Sequence, residues 1–434
     1  MLQVLKDRNF RIFWIGEFIS VIGDHISMLA FPWLVLQLTG SEFMMGLVFA
    51  AQGLPRAILM LMGGAVVDRT SPRKVMLYTN VIRMVLMSVL AYLLFTGGVT
   101  IGIVFAIALA FGVADAFFYP ATTSIVPSLV KKDQLKQGNA LVQTTMWLGV
   151  IIGPLIAGFV IAGEASLGTH SAAAHTIGLG DDQQGLARAF ALDGLTFFAS
   201  ALTLLFVRTR SLEKEDEGGT SMLEEIKVAV RFVWAVPAFR LGFLGIAALE
   251  FFFQAPIFVG LPALADLRFE EGAYIYGLQI AAYGSGAFLG ASSAGVFKAP
   301  KDENIIRIMF SLFTFSGATI ALIVLYPPYW WGMVVFFIAG CGDSWVWVHF
   351  TTLLQKRTPE KLLGRVMSLL MFMSVGLLPI AAVIMGVAFE INLEGALLVA
   401  SGAIMLACGI GAFHPYATRF SVPAGVKEEV TDLQ

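Results

Sequence analysis

The chain has 434 residues, 58% of them hydrophobic and 13% charged, with a formal net charge of −2 and a mean hydropathy of +0.81. An ordinary soluble domain carries roughly a quarter charged residues, so this is the composition of a membrane protein. The basic residues are dispersed among apolar runs and form no long block, which sets aside a nucleic-acid partner.

Lys6, Arg8 and Arg11 precede the first apolar run, which is too long for a secretory leader and lacks a small-residue cleavage site, so it reads as a first spanning helix. In chain order the apolar segments are 10–37, 44–67, 75–96, 101–126, 138–162, 188–208, 238–265, 273–297, 304–326, 329–355, 365–389 and 394–415. A helix needs about 20 residues to cross a bilayer. None of the segments shows the alternation of barrel strands, and helices satisfy their own backbone in lipid. The predicted fold class is therefore an all-α membrane protein of twelve transmembrane helices with both termini on one side. Of the 28 Lys and Arg, all but Arg188 and Arg268 in outer loops and Arg56 and Arg83 within spans lie on the terminal face or its flanks, which makes that face cytoplasmic. Cys341 and Cys408 fall inside apolar runs and suggest no disulfide framework.

The chain repeats itself. "NFRIFWIG" (9–16) returns as "AFRLGFLG" (238–245) and "GLVFAAQG" (46–53) as "GLQIAAYG" (277–284), at offsets of 229 and 231, while "GVAD" (112–115) matches "GCGD" (340–343). Asp115 and Asp343 thus hold equivalent places in two six-helix bundles, 1–208 and 237–415, and parallel half-repeats with a site between them are a transporter architecture. Between them, 209–236 opens as the polar linker "SLEKEDEGGTS" and continues as an amphipathic helix with Leu223, Ile226, Val230 and Val233 on one face. Residues 416–434 form a cytoplasmic tail. The outer loop 163–187 holds His170, His175, Asp181 and Asp182, but their spacing matches no defined ligand set, so it reads as a solvated loop and no metal is expected.

The stretch "GGAVVDRTSPRK" resembles the signature loop of the major facilitator superfamily, with Gly64, Asp68, Arg69, Arg73 and Lys74 in the matching places. Ser71 and Pro72 depart from that pattern, and the second-half loop "FKAPKDEN" has lost its Asp-Arg pair. "LPRAILMLMGGAVVDR" (54–69), "DAFFYPATTSIVPSLV" (115–130), "IIGPLIAG" (151–158) and "RTPEKLLGRVMSLL" (357–370) are similar to the branch containing macrolide efflux proteins and the enterobactin exporter. The resemblance implies export by alternating access, with the signature loop locking the halves in the outward-facing state. Gly64 would let a neighbouring helix approach closely, and Asp68 at a helix C-terminal end needs a compensating partner; the alternative is a topology-setting turn with no gating role.

Charged groups deep in a span are costly unless paired or wetted, which makes Glu17, Asp24, His25, Arg56, Arg83, Asp115, Glu250, Asp343 and His349 functional candidates. At about 1.5 Å per residue, Asp24 lies roughly 21 Å deep and Arg56 and Glu250 about 16 Å deep. Asp24 and Arg56 are expected to pair, either as a structural lock or as a place where a proton competes with the arginine. Glu250 has no base at its level and is expected to be wetted or to carry a proton. Asp24, Glu250, Asp115, Asp343, Arg56 and Glu17 form the predicted proton-coupling set. Phe251, Phe252, Phe253, Gln254, Trp345, Trp347 and His25 lie near them, and a greasy wall with a few acids suits bulky amphipathic or cationic compounds; lipid-facing or core packing is the competing reading of the aromatics.

No Gly-Lys dipeptide occurs, so the ATP-cradling loop is missing, and no cofactor is expected beyond a proton gradient. There is no HExxH, and Ser285 in "YGSGA" lacks the outer glycines of a nucleophile elbow, so no enzyme activity is expected. The predicted function is a monomeric, proton-coupled exporter of a lipophilic small molecule such as a drug or siderophore in a bacterial or archaeal plasma membrane, with a lipid or lysophospholipid flippase on the same fold as the alternative.

Overall fold

The computed structural model describes residues 4–131, 134–162, 182–209 and 222–421, and each of the twelve apolar segments is helical. The first half comprises α1 (Arg8–Thr39), α2 (Glu42–Arg69), α3 (Pro72–Thr96), α4 (Ile101–Leu129), α5 (Leu135–Ala162) and α6 (Asp182–Phe206). After a short α7 (Met222–Ala235) come α8 (Pro237–Arg268), α9 (Gly272–Val296), α10 (Asp302–Leu325), α11 (Tyr329–Arg357), α12 (Glu360–Ile391) and α13 (Leu393–Phe413). Eleven are long and apolar enough to cross a membrane; α9 has the length, but its glycines, serines and tyrosines make it less greasy. No strand occurs among the described residues.

Local chemistry sets the helix ends. Asp7 caps α1 by accepting from the backbone N–H of Asn9 at 2.8 Å and Phe10 at 3.1 Å. Gly40, with φ 63°, closes it in the left-handed conformation that side chains disfavour, and Ser41 then caps α2. The next helix therefore returns antiparallel, and twelve passes leave the start of α1 and the end of α13 on one face.

The sequence repeat is also a geometric one. Gly112 of α4 lies against the carbonyl of Gln52 on α2, and Gly340 of α11 against that of Tyr283 on α9. Gln52 and Tyr283 are repeat equivalents, as are the two glycines. Without a side chain, one helix approaches the other's backbone in the same way in each half.

The linker region departs from expectation. α7 buries Ala229, Phe232 and Val233, whereas Val230 is 39% exposed; the side chains of Leu223 and Ile226 lie outside the described residues. Phe232 turns the helix onto Phe239, ring centroids 6.1 Å apart, and Phe239 meets Phe420 at 6.1 Å. Residues 416–421 of the expected tail accordingly fold back on the base of the second half, where the Ala238 N–H donates to the Arg419 carbonyl at 3.0 Å. Residues 163–181, with His170, His175 and Asp181, and 210–221 lie outside the described residues, as does the side chain of Asp182. No cluster of three candidate metal ligands occurs among the described residues.

Candidate functional site

Arg83 of α3 organises the interior of the first half. Its side chain is buried, with Nη1 3.3 Å from Asp24 of α1 and 3.2 Å from Asp115 of α4, while Nη2 donates to Asn80. The guanidinium lies 3.7 Å from the ring centre of Phe118 and 4.3 Å from that of Phe197. The second oxygen of Asp115 is 3.8 Å from Arg56. The predicted Asp24–Arg56 pair is therefore wrong: rise per residue gives a side chain's height but not its direction, and Asp24 turns to α3 whereas Arg56 turns to α4. Asp193 of α6, fully buried, accepts from the hydroxyls of Ser27 and Thr196. Glu17 is buried with neither carboxylate oxygen hydrogen-bonded among the described residues, and Arg83 is the cation acting on it. His25 bonds through Nδ1 to the Val21 carbonyl at 2.9 Å and lies beside Gly149 and Gly153 of α5.

The second half solves the same problem with no cation at its carboxylate among the described residues. Asp343 of α11 accepts from Ser316 Oγ at 2.7 Å and the Tyr283 hydroxyl at 3.2 Å. At the repeat offset, Arg83 corresponds to 312–314, where Leu312, Phe313 and Thr314 stand. Equivalent aspartates thus face guanidinium in one half and hydroxyls in the other. Along α8 the helix widens into two π-helical turns, Glu250–Gln254 and Pro256–Gly260, where Ala255 N–H donates to the Glu250 carbonyl and Leu261 N–H to that of Pro256. Pro256 has no N–H to give, and such widened turns recur at functional positions. Glu250 opens the first, is buried, makes no ion pair among the described residues, and lies close enough to Asp343 for the two acids to interact. Phe251, Phe252, Gln254, Trp345 and Trp347 are half-buried. Phe253 is fully buried against Tyr283, so it is core rather than cavity wall in this state. Trp345 stacks on His349, centroids 4.0 Å apart.

Contacts between the halves concentrate on the face opposite the termini. Gln37 of α1 donates to Asp266 of α8 at 2.8 Å, and Glu390 of α12 accepts from Ser41 Oγ at 2.7 Å and Phe43 N at 3.2 Å. Phe49 of α2 stacks on Phe258 of α8 at 5.6 Å. Gly46 lies against the Ala382 carbonyl of α12, and Gly277 of α9 against the Pro154 carbonyl of α5. Toward the terminal face, a Cβ on Gly64 of α2 or Gly364 of α12 would meet nothing within 4 Å, and Met62, Met371 and Phe372 are exposed. The halves join at one face and part toward the other.

The signature loop lies on the parted side. Gly64 makes no close helix contact there; its neighbour Gly63 does, against the Ala116 carbonyl of α4. One residue turns a helical position by about 100°, so Gly63 packs within its own half and Gly64 faces the gap. Arg73, expected in the gate, donates to the carbonyls of Leu204 at 2.7 Å and Leu205 at 2.8 Å, tying α3 to the unsatisfied end of α6. Arg69 and Lys74 are exposed, and the Asp68 side chain lies outside the described residues.

The sequence alone marks Arg83 as an intramembrane charge without giving it a role, and Asp193 is not among the candidates drawn from it. The rule that found the other intramembrane charges would have found Asp193 too, since it falls within the sixth apolar segment.

The sequence profile of the Major Facilitator Superfamily matches residues 13–383, and the chain belongs to that family. It is 25% identical over 373 residues to the enterobactin exporter EntS of Shigella boydii serotype 18, covering 84% of this chain and 82% of the relative. The same figures hold for EntS of Escherichia coli O9:H4. Among solved structures, a peptide transporter POT in complex with sulfate aligns with TM-score 0.71 at 14% identity, covering 96% of each chain. A crystal structure of the nucleoside transporter NupG aligns with TM-score 0.70 at 11% identity, over 94% of this chain and all of that one. A bacterial homolog of the human lysosomal transporter Spinster, inward-facing and unoccupied, gives 0.66 at 14% identity, over 95% and 98% of the two chains. These structures establish the fold. The chain is a multi-pass transporter, not an enzyme.

Proposed function

We propose that this member of the superfamily is a proton-coupled exporter of lipophilic small molecules, siderophore-like or drug-like, working by alternating access. The exporter names of its relatives support the direction of transport. The concentration of Lys and Arg on the terminal face supports a cytoplasmic placement of that face, and the halves would then be parted toward the cytoplasm, where an exporter collects its solute.

The single observation that carries proton coupling is the asymmetry between equivalent carboxylates. Asp115 and Asp24 share Arg83, and such ion pairs resist protonation because a neutral acid would leave the buried guanidinium without a counter-charge. Glu250 and Asp343 have no cation partner among the described residues, so gaining a proton removes a charge from an apolar site at no such cost. In this reading protons enter on Glu250 and Asp343 when the site faces outward and leave when it faces the cytoplasm. Arg83 keeps the first half charged throughout, and Phe251, Phe252, Trp345 and Trp347 supply the apolar wall.

The test is transport in proteoliposomes with an imposed pH gradient. Glu250→Gln should retain solute binding and exchange while losing gradient-driven accumulation by more than about tenfold, an energy near 1.4 kcal/mol. Accumulation that is insensitive to the gradient in the parent protein would instead support lipid or lysophospholipid flipping on the same fold.

A further inference from the structure

We propose that Arg56 and Tyr119 form a solute subsite that takes an uncharged acceptor oxygen, such as a lactone carbonyl, an amide carbonyl or a phenol, carried on a flat apolar body. The inference rests on the transport reading above and narrows its substrate class.

Among the described residues, Arg56 has fewer acceptors than Arg83, the other guanidinium of the buried cluster. Its closest approach to an acid, 3.8 Å to Asp115, is beyond hydrogen-bonding distance, and its Nε is buried with no acceptor among the described residues. Arg83 also has an unfilled Nε, but its two Nη atoms hold Asp24, Asp115 and Asn80. A guanidinium has five N–H donors in a fixed fork, and leaving them unfilled in a closed, dry site is costly. The side chain of Arg56 is 22% exposed, so a solute can reach it.

Its position turns that capacity toward the gap. On α2, Arg56 lies seven residues inward of Phe49, hence on nearly the same helix face, and Phe49 is the residue that stacks on Phe258 of the opposite half. Beyond that contact, the half-buried Phe251, Phe252 and Gln254 continue along α8. Tyr119, one turn along α4 from Asp115, lies under the guanidinium with its ring centre 5.7 Å from Arg56 Cζ and is 45% exposed. Donors at the edge of an accessible ring match a planar group bearing oxygen.

Charge decides between a neutral oxygen and an ion. Arg56 and Arg83 stand against Asp24 and Asp115, with the buried Glu17 and Asp193 also acting on Arg83, so the acids outnumber the guanidiniums and the cluster has no positive charge to spare. A carboxylate would add an uncompensated negative charge to a site that excludes water on closure, and an ammonium would meet a donor rather than an acceptor. A neutral acceptor fills the donors without adding charge.

A matched series with one flat body separates these outcomes: 2-naphthol, 2-naphthoate and 2-naphthyl-trimethylammonium, titrated at pH 7 into the purified full-length protein in nanodiscs by calorimetry, with no gradient. The expected order is naphthol tightest, with Arg56→Met and Tyr119→Ala each weakening it about tenfold or more. Arg56→Lys, which keeps N–H donors, should lose less than Arg56→Met, and the thermal midpoint of each variant verifies folding. Tighter binding of the naphthoate or the ammonium, or naphthol affinity unchanged in Arg56→Met, overturns the proposal. Because no gradient is involved, a failure here is distinct from a failure of proton coupling.

Discussion

Replacing Arg83 with methionine removes the charge that the first half is built around while keeping a long side chain between Phe118 and Phe197. Two carboxylates lose a partner at 3.2 and 3.3 Å. They do not suffer equally: the Asp24 side chain is 29% exposed and can be rehydrated, whereas Asp115 is buried and keeps only Arg56 at 3.8 Å. Breaking a fully buried pair costs about 3–5 kcal/mol, and the remaining Arg56 contact and the retained packing place this change near 3 kcal/mol. For a bundle of roughly 200 residues that corresponds to a fall of about 6–12 °C in thermal midpoint. The assay is thermal unfolding of the detergent-purified protein followed by size-exclusion fluorescence. Arg83→Met combined with Asp115→Asn should recover part of the loss, because the second change removes the stranded charge. A fall of less than about 2 °C, or a double variant no more stable than the single one, would refute the argument that Arg83 is held as a counter-ion.

Asp68→Asn should leave the thermal midpoint within about 2 °C of the parent, yet slow transport in vesicles severalfold; unchanged transport means the loop is only a turn. Gly46→Leu should prop the sealed face open, since a side chain there must displace the Ala382 carbonyl; increased cysteine labelling between α2 and α12 at that face is the expected readout, and unaltered labelling counts against the seam. Gln37→Cys with Asp266→Cys should be bridged by a short, cleavable bifunctional thiol reagent, because the tips of the parent side chains meet at 2.8 Å, and the cross-link should stop transport until it is cleaved. Transport that continues through the cross-link would show that this face does not open during the cycle.

Most of the architecture is readable from the sequence because lipid imposes a length and a polarity on each segment. All twelve segments stand out in the sequence as apolar runs, and the less apolar α9 is marked as well by the repeat that pairs 277–284 with 46–53. The candidate acids are readable for the same reason, since a carboxyl group in an oily segment stands out. Their partners are not. Asp24 and Arg56 lie at comparable depth on neighbouring segments, yet each bonds to a different helix. Gly63 and Gly64 are adjacent in the chain, yet only Gly63 meets a neighbour. Likewise Arg73 sits in a signature associated with gating, but its fork satisfies the end of α6 in its own half.

The sequence by itself determined that the chain is a twelve-helix membrane protein in two repeated halves, with its basic residues gathered on one face, because hydropathy, charge asymmetry and self-similarity are properties of the covalent chain. Tertiary structure alone decided that Arg83 serves Asp24 and Asp115, that Glu250 sits on a widened turn with no cation partner among the described residues, and that the described contacts between the halves concentrate at one face. Those outcomes depend on how each helix is rotated about its axis and against its neighbours. That rotation is set jointly by side chains distant in sequence, so no local pattern records it.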